Sequence, residues 1–128
     1  GADWGIVVTM PEIAAVRDAD KIIGRLQSEE KDIRLVVNRI RPQMVKEGSM
    51  LDMSQIDEIL SVPCIGQVPD DMKVVDSANR GVPVVEWEDS LAGQAYRDIV
   101  ARVCGEDVPF RSLETEGLLG RLKHIFGR

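Results

Sequence analysis

Three short runs of β-branched and aliphatic residues recur along this chain, each followed by a segment of helical periodicity. That alternation allows few folds other than a parallel sheet flanked by helices. The first run, Trp4 to Met10, is continuously apolar and closed by Pro11, the pattern of a buried parallel strand. Pro11 and Glu12 suit a helix's first turn, along which Ile13, Val16, Ile22, Ile23 and Leu26 form an apolar stripe. Ile33 to Asn38 reads as a second strand. A loop with Pro42 and Gly48 follows, then a helix through Leu60 with Asp52 or Ser54 as its N-cap. Cys64 to Val68 is a third strand, ending at Pro69-Asp70-Asp71, and residues 71–79 read as a short helix. Gly81 and Pro83 force a turn, and Val82 to Trp87 reads as a last extended piece. Ser90 then caps a helix to about Cys104 that is expected to bury Leu91, Ala95, Ile99, Val100 and Val103. The expected fold is therefore α/β, a partial parallel sheet of three or four strands with flanking helices. Residues 1–105 form its body, 106–116 a polar acidic linker, and 117–128 a C-terminal amphipathic helix.

Composition narrows function by exclusion. The 128 residues are 44% hydrophobic and 30% charged, an ordinary globular balance. No apolar run approaches the ~18 residues a spanning helix needs. Gly1-Ala2-Asp3-Trp4 has neither the basic start nor the apolar stretch of a signal peptide. Cys64 and Cys104 lie far apart in segments that read as buried, which suggests reduced core thiols in a cytosolic protein. The net charge of −6 conceals an asymmetry: residues 1–116 hold all 22 acids against 13 bases, whereas the tail has only Arg121, Lys123 and Arg128. An acidic body argues against nucleic acid as the partner.

The residues contain no catalytic constellation and no metal-ligand cluster. There is one histidine, and the phosphate-cradling loop G-x-x-x-x-G-K-[ST] does not occur. Three loops at the carboxyl ends of strands remain, because ligands of open α/β sheets bind there. Thr9-Met10-Pro11-Glu12 opens the first helix, where Glu12 complements the dipole. Val37-Asn38-Arg39 places an amide directly after a strand; it either caps the turn or offers a donor and an acceptor to a purine edge. Pro69-Asp70-Asp71 is a capping turn or a border for a planar base. Each signal alone is weak.

In combination and in order, these pieces resemble the C-terminal half of the ParA/MinD group of deviant Walker A P-loop ATPases. The pieces are Val7 to Asp20, Val37 to Pro42, Gly48 to Asp52, Gly66 to Asp71, Ala78 to Pro83 and Gly117 to Gly127, so the resemblance covers essentially the whole chain. It implies the C-terminal half of a P-loop NTPase fold, with adenine flanked by Asn38, Val68, Pro69 and Asp70. It also implies that Glu12 lies near the nucleotide and an ATP-dependent homodimer interface. Arg17 and Asp18 become candidates for the surface read by a MinC-like division inhibitor and by MinE or another positioning factor. ATP with Mg²⁺ is the cofactor implied for the complete protein. The group's lysine-bearing phosphate loop and its Mg²⁺-binding aspartate have no counterpart here, so this chain alone is expected neither to hydrolyse ATP nor to bind it tightly.

The tail makes a separate case from periodicity. On a helix Leu118, Leu119, Leu122, Ile125 and Phe126 share one face, while Arg121 and Lys123 flank it. Such a helix rests on an anionic membrane surface, or else docks on the protein's own core. Partial burial of each apolar side chain contributes ~1 kcal/mol, and each basic residue about 1 kcal/mol near an anionic leaflet. Ordering a twelve-residue segment opposes these gains. One tail therefore binds weakly, and two on a dimer gain ~10²–10⁴ in avidity. Joined to the tail, the resemblance implies a cytoplasmic ATPase, peripheral on the inner face of the cell membrane, that positions the division septum. The alternatives are a flagellar-number regulator of the FlhG type and a non-enzymatic membrane- or partner-binding half-domain.

Overall fold

Strand pairing follows the order of the chain. A computed structural model describes residues 4–111, and its sheet runs β1 (Trp4–Thr9), β2 (Asp32–Ile40), β3 (Cys64–Pro69), all parallel. Helix α1 (Ile13–Ser28) returns the chain from β1 to β2, and α2 (Pro42–Lys46) and α3 (Met53–Leu60) return it to β3. After β3 come α4 (Met72–Arg80), a 3₁₀ turn over Val84–Glu86, and α5 (Leu91–Val103). The tail residues Leu118, Leu119, Arg121, Leu122, Lys123, Ile125 and Phe126 lie outside the described residues.

Alternation along the strands divides their side chains between two faces. Ile33, Leu35 and Val37 of β2 join Val7 of β1, and α1 and α3 cover them with Val16, Ala19, Ile23, Ile56 and Leu60. The spacing of Val16, Ala19 and Ile23 puts all three on one side of α1, so α1 closes this layer without exposing its own core residues. Helix α3 is set in register by a capping box, in which Asp52 accepts from the Gln55 N–H and Gln55 accepts from the Asp52 N–H. On the opposite face Val36 and Val68 meet Ala92 and Ala95 of α5. Gly66 lets that helix approach closely, because a Cβ there would run into the Ile99 side chain.

Several expectations are corrected. The β1 run is buried on one face only: Val7 and Thr9 are covered, while Trp4, Ile6 and Val8 remain exposed. No helix among the described residues covers that half of the sheet, since α5 packs on β3 and not on β1. The Pro42–Gly48 segment is not all loop: Pro42 starts α2, where its missing N–H costs nothing, and Gly48 at φ 80° ends the turn that follows. Residues 82–87 are not extended. The Glu86 and Trp87 N–H groups turn back to the carbonyls of Pro83 and Val84, forming the 3₁₀ turn. Along α5 the buried positions are Ala92, Gly93, Ala95 and Asp98, whereas Leu91, Val100 and Val103 are exposed. Small residues face the sheet there because the helix sits close to Gly66. Both cysteines are free thiols, but only Cys64 is partly buried; Cys104 is exposed at the end of α5. Burial pushes the Cys64 thiol above its ordinary value, although backbone hydrogen bonding at Gly66 and nearby Arg102 oppose that rise.

Candidate functional site

The three strands end on the same side of the sheet, with Thr9 opposite Val37, Val37 opposite Gln67 and Ile40 opposite Pro69. Between Val37 and Ile40 the ladder is irregular, and Arg39 takes a left-handed φ of 58°. Asn38 supports this distortion: its Oδ1 accepts the Arg39 N–H at 3.0 Å. Asn38 is thus brought to the strand ends with its oxygen already engaged locally and its amide N–H groups outside that bond.

Asp70 closes the other side of the turn. Its N–H donates to the Ile40 carbonyl at 2.8 Å, which joins the ends of β2 and β3. Its carboxylate accepts from Arg41 Nε at 2.6 Å and lies 3.8 Å from Arg39 Nε. These exposed pairs contribute little stability, on the order of 0–1 kcal/mol each, but they orient the two loops against one another. Val68 and Pro69 are buried, Val68 in the α5-side core, so only their backbone can border a ligand. Glu12 stands at the N-cap position of α1 in an extended conformation and makes no side-chain capping bond. Arg17 and Asp18 are exposed on α1, away from its buried Val16 and Ala19. The structure therefore groups Asn38, Pro69 and Asp70 at one edge, sets Glu12 at the neighbouring strand end, and leaves Arg17 and Asp18 on a helix surface.

Asp71 was legible only as part of a capping turn, yet it fastens two helices. Its Oδ1 accepts the Lys73 N–H at 3.0 Å at the head of α4. Its Oδ2 accepts from Ser90 Oγ at 2.6 Å and from the Ala92 N–H at 3.2 Å at the head of α5. Burial acts to raise its pKa, but the bonds from Ser90, Lys73 and Ala92 outweigh it and hold the carboxyl below its ordinary value. Arg39, Arg41 and Asp71 were the residues the reading missed. The signal available was opposite charge at the ends of two adjacent strands, with nothing in the sequence to show that the ends meet.

Below these turns, on the α3 side, lies an apolar cavity of about 270 Å³ lined by Pro11, Val37, Ile40, Leu51, Met53 and Ile56 among others. It does not include Asn38 or Asp70. Among the described residues no group of three acidic, histidine or cysteine side chains could hold a metal ion. None of their helices is long and apolar enough to cross a membrane.

No family model matches the chain. Individual proteins do. The septum site-determining protein MinD of Bacillus subtilis is 46% identical over 131 residues, which is 99% of this chain and 49% of that protein. MinD in the MinC:MinD cell division protein complex of Aquifex aeolicus superposes with a TM-score of 0.83 at 42% identity, covering 87% of this chain and 46% of that one. The chain is a MinD-family segment. It spans about half the length of the curated relatives it matches. The MinD of Pyrococcus horikoshii complexed with Mg-ADP, at 22% identity and a TM-score of 0.69, shares the fold over 80% of this chain. The expected α/β architecture of a P-loop NTPase is thereby met in this MinD-family segment, as a three-stranded parallel sheet with flanking helices.

Proposed function

We propose that this chain is the part of a septum-positioning ATPase that carries the base-facing turns and the membrane-binding tail. The observation that carries this reading is the 46% identity to MinD of Bacillus subtilis across 99% of the chain. In the complete protein ATP with Mg²⁺ supports a homodimer, and the dimer holds a MinC-like inhibitor of division at the membrane. The Aquifex neighbour, solved in a MinC:MinD complex, supports that partner.

The residues present fit one end of a nucleotide. The amide N–H groups of Asn38 and the backbone at Val68, Pro69 and Asp70 suit the edge of an adenine. The phosphates and the metal find no match, because the chain has no G-x-x-x-x-G-K-[ST] loop and the described residues hold no metal-binding cluster. On this reading the phosphate loop belongs to the rest of the complete protein, and this chain alone binds ATP weakly and does not hydrolyse it. Glu12 lies on the side of the dimer interface, and Arg17 and Asp18 contribute to the surface read by the inhibitor and by MinE or another positioning factor. The exposed face of Trp4, Ile6 and Val8 and the unpaired edge of β1 receive the remaining half of the domain, which relatives of twice this length possess.

The tail supplies the output. Leu118, Leu119, Leu122, Ile125 and Phe126 enter the headgroup boundary, and Arg121 and Lys123 meet lipid phosphates. Co-sedimentation of the complete protein with anionic liposomes tests the scheme. ATP should increase binding, and Leu122→Glu with Phe126→Glu should reduce it about tenfold or more, as loss of two buried apolar groups demands. Binding unaffected by both ATP and the double substitution would refute the reading. Asn38→Ala should weaken ATP binding about fivefold, the effect of one hydrogen bond, and unchanged nucleotide affinity would remove Asn38 from the base site.

A further inference from the structure

The apolar cavity beside α2 and α3 has no role in the nucleotide or membrane reading. Its aliphatic side chains, from Val37 and Ile40 of β2, Val45 of α2, Met53 and Ile56 of α3 and the intervening Leu51, line a half-open space of about 270 Å³ rimmed by Lys46, Asp52, Gln67 and Arg111. That is room for a branched aliphatic side chain with space to spare. The position of the chain's last described residue indicates what fills it.

Arg111 is itself part of the lining. It reaches that place by a fixed route. Arg102 of α5 donates to the carbonyls of Ile65, Val108 and Pro109 at 2.8, 3.0 and 3.3 Å, and its guanidinium stacks 4.0 Å from the Phe110 ring centroid. Arg111 then bonds the Asp98 carboxylate through Nε at 2.6 Å and through its terminal nitrogen at 3.2 Å. Asp98 belongs to α5 on one face of the sheet, whereas the cavity opens on the other. Arg111 therefore carries the chain around the outer edge of β3 and delivers it to the cavity wall. The next residues are Ser112-Leu113-Glu114-Thr115-Glu116. Leu113 is two residues on, within about 7 Å of extended chain, and is the one large apolar residue of that stretch.

We propose that residues 112–116 dock over this cavity, with Leu113 seated among Val45, Met53 and Ile56. The acidic segment is then a strap on the body, and the membrane tail departs from a fixed point beside the ends of the strands. Docking of this kind needs neither nucleotide nor lipid.

Disulfide trapping in the full chain, with Cys64→Ala and Cys104→Ser as background, tests the seat. Leu113→Cys combined with Val45→Cys should oxidise about tenfold faster than Leu113→Cys combined with Ile59→Cys, the ratio expected when one pair is held at high effective concentration. Equal rates would overturn the proposal. So would faster trapping of Val45→Cys with Leu122→Cys, which would make the tail helix the occupant. Leu113→Ser in the otherwise native chain gives an independent check. It should raise the hydrogen-exchange rates of α2 and α3 amides several-fold while Leu118→Ser leaves them unchanged. Unaltered α2 and α3 exchange in Leu113→Ser, or a fall in that exchange when a soluble aliphatic ligand is added to the native chain, would count against the strap.

Discussion

On the α1–α3 side of the sheet, Val7, Leu35 and Val37 are covered by Val16, Ile23, Ile56 and Leu60, and all of them are nearly fully buried. On the α5 side only β2 and β3 are covered. There Val8 is 60% exposed and Ile6 42%, and Val103 of α5 lines a cleft with Trp4 at the border of the same ground. The residues of β1 are equally apolar on both sides, so hydrophobicity does not explain the difference. Two crossover helices return the chain on the first side, while the second has received a single helix, placed over β3. A patch of this kind is unusual on a self-sufficient surface, and it agrees with a segment about half the length of its relatives.

The comparison can be broken most directly in the finished layer. Ile56 is 1% exposed, so Ile56→Ala should cost about 2–5 kcal/mol through lost transfer energy and the cavity left behind. Chemical denaturation of the chain measures it. A cost below 1 kcal/mol would mean that this layer is as loosely packed as the other.

The next effect concerns how α5 is held. A Cβ on Gly93 would collide with the Val84 carbonyl oxygen and come within 3.2 Å of that of Trp87. Backbone oxygens cannot swing aside, so Gly93→Ala should destabilise by about 1–3 kcal/mol despite the gain of up to about 1 kcal/mol in helix propensity. A melting temperature equal to or above that of the parent would show that α5 has room to shift on the open side.

Asp71 ties α4 and α5 to each other, and Asp71→Ala should cost about 0.5–2 kcal/mol, the range of a lost helix cap. The effect depends on pH in a determinate direction. The folded carboxyl titrates below the ordinary value of 3.8, so its stabilisation is complete above that value and is lost as pH falls through the lower folded one. The parent should therefore lose stability more steeply than Asp71→Ala on acidification below pH 3.8. Hydrogen exchange should show the loosening in α5 and not in α1. Uniform loosening would erase the distinction between the two sides.

Much of this arrangement was legible in the residues, and the gaps have physical causes. Strands β1, β2 and β3 were visible because β-branched runs bounded by Pro and Gly leave little choice, and the caps at Asp52 and Ser90 announced α3 and α5. A continuously apolar strand, however, does not say which of its faces will be covered, since Trp4, Ile6 and Val8 look the same as Val7. The buried stripe of α5 was misread for a related reason: close approach at Gly66 selects Ala92 and Ala95, and the larger Val100 and Val103 are turned out. The turns at Asn38 and at Pro69–Asp70 were singled out by family resemblance, but the Arg41–Asp70 pair joins residues 29 apart in sequence, and only folding brings them together.

The smallest expected effect is the one most specific to the open face. Ile6→Ser and Val8→Thr replace exposed apolar groups, so their combined cost in the isolated chain should stay within about 0.5 kcal/mol per site. The same pair should reduce fluorescence of an apolar dye such as anilinonaphthalene sulfonate, because that dye reports accessible hydrophobic surface. A cost approaching that of Ile56→Ala would mean that the β1 face is covered in solution. Dilution then separates the two ways of covering it. A cost that vanishes at low concentration identifies a second copy of the chain, since self-association makes stability depend on concentration. A cost that persists on dilution identifies a segment of the same chain. The face presented by Trp4, Ile6 and Val8 would then be a finished interface, and the contrast with the α1–α3 side would disappear.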